Sequence, residues 1–67
     1  MEYIVKAKIL YGPTAFDPYV LEESRNETVV VSTSSKKRAE KLAKEYIYSR
    51  DRSFSLRAIK IVSIEKR

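Results

Sequence analysis

The chain has no cysteine and no histidine, a single glycine and two prolines, and these shortages remove several classes of function. Without cysteine there is neither a disulfide nor a thiolate metal site. Without histidine the commonest metal ligand and the commonest general base are gone. Nucleophilic catalysis needs a serine or similar group beside a base, and the serines here have no imidazole to activate them. Gly12 alone cannot build a glycine-rich phosphate loop. Asp17, Glu22, Glu23 and Glu27 cluster in sequence and could offer oxygen ligands to a divalent cation, but they lie in or beside an exposed loop and match no recognised spacing. The expectation is a protein that is not an enzyme, takes no cofactor or metal, and has no small-molecule substrate.

No apolar run approaches the ~20 residues of a membrane span, so no membrane partner is expected. The opening Met1-Glu2-Tyr3-Ile4-Val5-Lys6 reads as a strand rather than a signal peptide. A cytoplasmic location follows as the expectation, in the host cytoplasm if the protein is viral. The sequon Asn26-Glu27-Thr28 carries no weight without a secretory signal.

What is present is a chain of 67 residues, enough for one domain spanning residues 1–67. A domain this small buries only about 60% of the surface its unfolded chain exposes. Natural proteins of this size usually add a disulfide, a metal or a second subunit. With the first two gone, self-association as a homodimer or a partner protein is the expected staple. The charged fraction is high, yet the apolar residues are regularly patterned, which argues against disorder.

Charge is divided unevenly along the chain. Residues 11–31 hold Asp17, Glu22, Glu23 and Glu27 against Arg25, a net −3, whereas residues 32–67 hold eleven Lys/Arg against four acids, a net +7. The net charge of the whole is +5. An acidic loop region and a basic second half favour oriented encounter with a charged partner.

Hydropathy patterning predicts the order β-β-α-β. In residues 2–11 Tyr3, Val5, Ala7, Ile9 and Tyr11 share one face and Ile4, Lys6, Lys8 and Leu10 the other, the alternation of a strand. Gly12-Pro13 ends it, and residues 12–26 read as a long irregular connection, of the kind that is commonly functional. Residues 27–32 carry three consecutive valines, so this strand has apolar contacts on both faces or lies centrally. Ala39, Leu42, Ala43, Tyr46 and Ile47 form one stripe of a helix over 35–50, with Ser35 as its N-cap. Residues 54–65 make a last strand whose face changes parity, which a bulge near Ala58–Ile59 would reconcile. The expected fold is α+β: a three-stranded sheet with one amphipathic helix packed on one face. Apolar residues on the opposite face are the physical case for a dimer or a protein partner.

Three surfaces could carry function. The first is the helix start, Ser35, Lys36, Lys37 and Arg38, extended by Lys41 and Lys44. Three cations oppose the helix dipole there, and with free backbone N–H groups they would suit an anion such as phosphate or a partner's carboxylates. The plainer reading is a solvated face supported by Glu40–Lys44 and Lys41–Glu45 pairs. The second is the segment with Tyr48, Arg50, Arg52 and Arg57, where arginine and aromatic residues interleave as they do in single-stranded nucleic acid binding and in protein hot spots. Tyr46 and Phe54 fit core positions, leaving Tyr48 as the exposed ring. The third is the loop region with Tyr11, Phe16, Tyr19 and Leu21, flanked by Glu22 and Glu23, which suits insertion into a protein groove. Against that, Phe16 and Leu21 could fold back to cap the small core.

Residues 27–47, Glu-Thr-Val-Val-Val-Ser-Thr-Ser-Ser-Lys-Lys-Arg-Ala-Glu-Lys-Leu-Ala-Lys-Glu-Tyr-Ile, followed by Ile61-Val62-Ser63-Ile64-Glu65, resemble many small phage and mobile-element accessory proteins. A valine-rich strand, a serine cap, an Ala-x-x-Leu-Ala helix and a closing strand make up that pattern. The chain departs from it at Lys36-Lys37-Arg38, where such proteins more often carry acids. The resemblance implies an accessory protein that binds and modulates a host protein, and it carries over no site residues. The competing expectation is a nucleic-acid-binding module using the basic helix face and the arginine-rich segment.

Overall fold

The structure, a computed structural model, describes residues 1–16, 18–52 and 55–67. Three strands and a helix follow one another: β1 (Glu2–Tyr11), β2 (Glu23–Ser32), α1 (Lys36–Arg50) and β3 (Leu56–Lys66). The sheet order is β2-β1-β3, and both neighbours of β1 run antiparallel to it. The expected α+β fold and the β1–β2 hairpin are therefore present. The central strand is β1, and the valine strand is an edge: Val29 and Val31 point to the helix side while Val30 pairs with Ile4 on the other. Since β3 also pairs with β1, α1 carries the chain from one edge of the sheet to the other.

Alternation in β1 dictates the core. Tyr3, Val5, Ala7 and Ile9 are buried, joined by Val29 and Ile59 from the flanking strands. Against them lie Ala39, Ala43 and Ile47, one every fourth residue and so on one line of the helix. The two alanines have no exposed surface, and their short side chains let the helix axis approach the sheet. Fully burying Val5 and Ile9 contributes about 1.5–3 kcal/mol each. Ser35 caps the helix, its Oγ accepting from the Arg38 N–H at 3.2 Å. Tyr46, expected in the core, is instead 47% exposed, much as Tyr48 is at 50%. Its ring lies under the Arg50 guanidinium, 5.6 Å from the centroid. Phe54 lies outside the described residues.

Two register shifts in the β1–β3 ladder, between Lys6 and Ala7 and between Leu10 and Tyr11, explain the parity of the last strand. Leu56 packs on the core, Arg57 is the extra residue, Ile59 and Ile61 face the helix, Val62 is the second extra residue, and Ile64 returns to the core side. Two bulges thus replace the single one expected at Ala58–Ile59, and Ala58 faces away from the helix, opposite Leu10.

The second strand begins four residues earlier than its valines announce. It pairs without interruption from Glu2↔Ser32 to Tyr11↔Glu23. Glu23 to Asn26 are polar and show no apolar alternation, yet the hairpin register carries them along β1. The irregular connection shortens to residues 12–22.

Candidate binding surfaces

The hairpin register fixes the ends of the molecule. The β1–β2 loop leaves from Tyr11 and returns at Glu23, beside the C-terminal end of α1, where the Tyr11 hydroxyl donates to Asp51. The helix start lies at the opposite end, after Ser32, which pairs with Glu2. The aromatic loop with Glu22 and Glu23 therefore occupies one pole and Lys36, Lys37 and Arg38 the other, in a body 42 Å long and 15–17 Å across.

At the loop, Phe16, Tyr19 and Leu21 are 82%, 94% and 83% exposed. They do not fold back over the core. The base of the loop is held firmly. The Gly12 N–H donates to the Ser55 carbonyl at 2.8 Å. Gly12 is buried beneath the stem of Arg57, and a β-carbon there would stand 3.0 Å from Arg57 Cδ and 3.3 Å from Glu22 Cγ. Arg57 in turn pairs with Glu22 at 3.3 Å. An apolar tip is thus presented on a pinned stem. Tyr11 and Glu23, grouped with this loop on sequence, belong to β1 and β2.

Below the last turn of α1 the helix-facing side of the hairpin turns from valine to charge. The rungs Ala7↔Glu27, Ile9↔Arg25 and Tyr11↔Glu23 place Glu27 and Arg25 on the core side. Arg25 pairs with Glu27 at 3.3 Å and with Asp51 at 3.7 Å, and lies 5.9 Å over the Tyr11 ring. Arg50 pairs with Glu27 and also donates to the Tyr46 hydroxyl at 3.4 Å. Burial, followed by the hydrogen bond to the Asp51 carboxylate, raises the Tyr11 hydroxyl above its ordinary pKa. The bond to Tyr46 and then the charge of Glu27 raise that of Arg50. This network ties β2, the helix end and residue 51 together, and the sequence did not reveal it because its members are scattered over positions 11–51.

Of the basic residues singled out on sequence, most of the helix group is gathered on one surface, and the arginines Arg50, Arg52 and Arg57 lie apart from it. Ser35, Lys37, Arg38, Lys41 and Lys44 line one shallow depression on the outer side of α1, with Glu40 among them; Lys44 pairs with that Glu40 at 3.4 Å. Lys36 is exposed outside it. Arg50 is turned to Glu27, Arg57 to Glu22, and Arg52 is exposed. Of the four acids considered for a cation, Glu22 and Glu27 each face an arginine and Asp17 lies outside the described residues. Among the described residues no group of three or more His, Cys, Asp or Glu is placed to hold a metal ion, and no helix is long and apolar enough to cross a membrane.

A further basic group escaped the sequence reading. On the sheet face away from the helix, Lys6 and Lys8 alternate along β1, and Lys60 lies directly across from Lys8 on β3. The alternation of β1 placed the first two together, but the parity slips of β3 hid the third. Comparison with protein-family models, with curated proteins and with solved structures finds no match to this chain.

Proposed function

We propose that this chain is a small non-enzymatic protein that acts by binding a protein partner through the tip of its β1–β2 loop. In this reading it works as the phage-type accessory proteins it resembles do, by occupying and modulating a surface of a host protein. The observation that carries the proposal is the exposure of Phe16, Tyr19 and Leu21 on a loop whose base is pinned by Gly12 and Arg57. Aromatic side chains are enriched among the residues that dominate binding energy. A pre-formed stem lowers the ordering cost of inserting them. The complementary partner surface is an apolar groove with a basic rim, facing Glu23, since Glu22 is paired with Arg57.

The alternative, a nucleic-acid module using the helix face and the arginine-rich segment, has weaker support. Arg50 and Arg57 are engaged by Glu27 and Glu22, and the helix strip is interrupted by Glu40.

Site-specific photo-cross-linking in the host cell tests the proposal. A photoreactive residue at Tyr19 is expected to trap one protein that the same group at Tyr48, exposed on the helix, does not trap. Equal labelling patterns at the two positions would refute a loop-directed partner.

A further inference from the structure

The sheet face opposite the helix is exposed to solvent and basic at its centre. Lys6 and Lys8 are two residues apart on β1, ~7 Å along the strand, and Lys60 lies one strand spacing, ~5 Å, from Lys8. Like charges set directly opposite each other on neighbouring strands destabilise a sheet. Most arginines of the chain are answered by a carboxylate: Arg25, Arg50, Arg57 and Arg67 each have one within 4 Å. Among the described residues, none pairs with Lys6, Lys8 or Lys60. Around them stand the small polar residues Asn26 and Thr28 of β2 and Ser63 of β3. Among the described residues the acids of this face stand toward its two ends: Glu2 with Arg67 and Glu65 opposite Ile4 at one, and Glu22 with Arg57 at the other, where Glu22 and Glu23 share a shallow depression with Lys8.

We infer that this face is a docking surface for the sugar–phosphate backbone of a nucleic acid duplex. Charge complementarity selects an anionic occupant and excludes the alternative closest to hand. Two copies packed face to face through this surface would bring two sets of Lys6, Lys8 and Lys60 together. The exposed apolar residues Val30 and Val62 lie toward the edges, where they cannot relieve that repulsion. The absence of aromatic side chains among Ile4, Leu10, Val30, Ala58 and the polar residues of this face argues against single strands, which are held by stacking on rings. Amide and hydroxyl groups beside cations are the contacts proteins make with phosphates, fixing position without reading sequence. The inference is independent of the loop, and places the two binding functions on separate surfaces.

Fluorescence anisotropy with a short mixed-sequence DNA duplex, titrated with salt, tests it. Three lysines neutralising three phosphates give a slope of log K against log salt of about −2.7, a ~40-fold loss between 50 and 200 mM. The K6Q/K8Q/K60Q protein is expected to lose that slope and the binding with it, and K6R/K8R/K60R to retain both. Replacing Lys37, Arg38 and Lys41 by glutamine is expected to leave the affinity at the wild-type level. Circular dichroism melts keep the result interpretable, since removing the Lys8–Lys60 repulsion should not lower the melting temperature. No duplex binding by the wild type at 50 mM salt would overturn the inference. So would loss of binding in the helix variant alone, tighter binding of a single strand than of the duplex, or binding of poly-glutamate in place of DNA.

Discussion

Replacing Tyr11 by phenylalanine removes one oxygen atom and tests the ionic network under the helix end. The Tyr11 hydroxyl donates to Asp51, which keeps a second partner in Arg25 at 3.7 Å. Hydrogen bonds to charged groups contribute ~1.5–3 kcal/mol. Because Tyr11 is only half-buried and Asp51 retains Arg25, the expected loss lies at or just below the low end, about 1–1.5 kcal/mol. A domain of this length has roughly 3–10 kcal/mol in total, so the melting temperature should fall by ~5–10 °C. The pH dependence gives a second, sharper readout. The folded-state pKa of Tyr11 is raised, so its contribution is complete below the unfolded value of about 10 and is lost as pH rises through the folded value. Urea unfolding of both proteins should therefore show a constant stability gap between about pH 7 and 9 that narrows above pH 10. A phenylalanine variant as stable as the wild type at neutral pH, or a gap unchanged in strong alkali, would refute the reasoning.

Other expectations follow from the helix. Ala43→Leu forces a branched side chain between α1 and the sheet where no exposed surface remains, and should cost about 1–3 kcal/mol, seen as a lower urea midpoint. Ser35→Ala removes the N-cap acceptor and should cost about 1 kcal/mol. Lys37→Glu places an acid in a first turn that has none and should stabilise by about 0.3–1 kcal/mol at low salt; a lower melting temperature for this variant would show that the first-turn cations are not opposing the dipole.

Much of the fold was legible in the sequence where one periodicity ruled. Tyr3, Val5, Ala7 and Ile9 announced the central strand's core face, and Ala39, Ala43 and Ile47 the buried line of the helix. Legibility failed where tertiary pairing overrode local pattern. Glu23 to Asn26 join β2 because the hairpin register extends to them, although nothing in their own hydropathy says strand. Tyr46 has the phase of a core residue, but it lies at the edge of the narrow sheet and stacks with Arg50. The parity slips of β3 were visible as a slip, while their resolution into bulges at Arg57 and Val62 depended on the pairing with β1. Of the candidate surfaces, the loop emerged from the sequence as two alternatives, and the exposure of Phe16 and Leu21 removes the one in which they fold back to cap the core. Lys60 could be joined to Lys6 and Lys8 only once that register was known.

The central claim is that the loop tip makes the decisive contact. Its most direct test is isothermal titration of the cross-linked partner, purified, with the wild type and with the F16S/Y19S/L21S protein. Loss of even one dominant anchor is worth ~2 kcal/mol or more, at least ~30-fold in Kd. The exposed positions predict an unchanged melting temperature. A variant that binds at least 30-fold more weakly while melting as the wild type does is the predicted result. One that keeps the wild-type affinity would contradict the account and move the binding function off the loop.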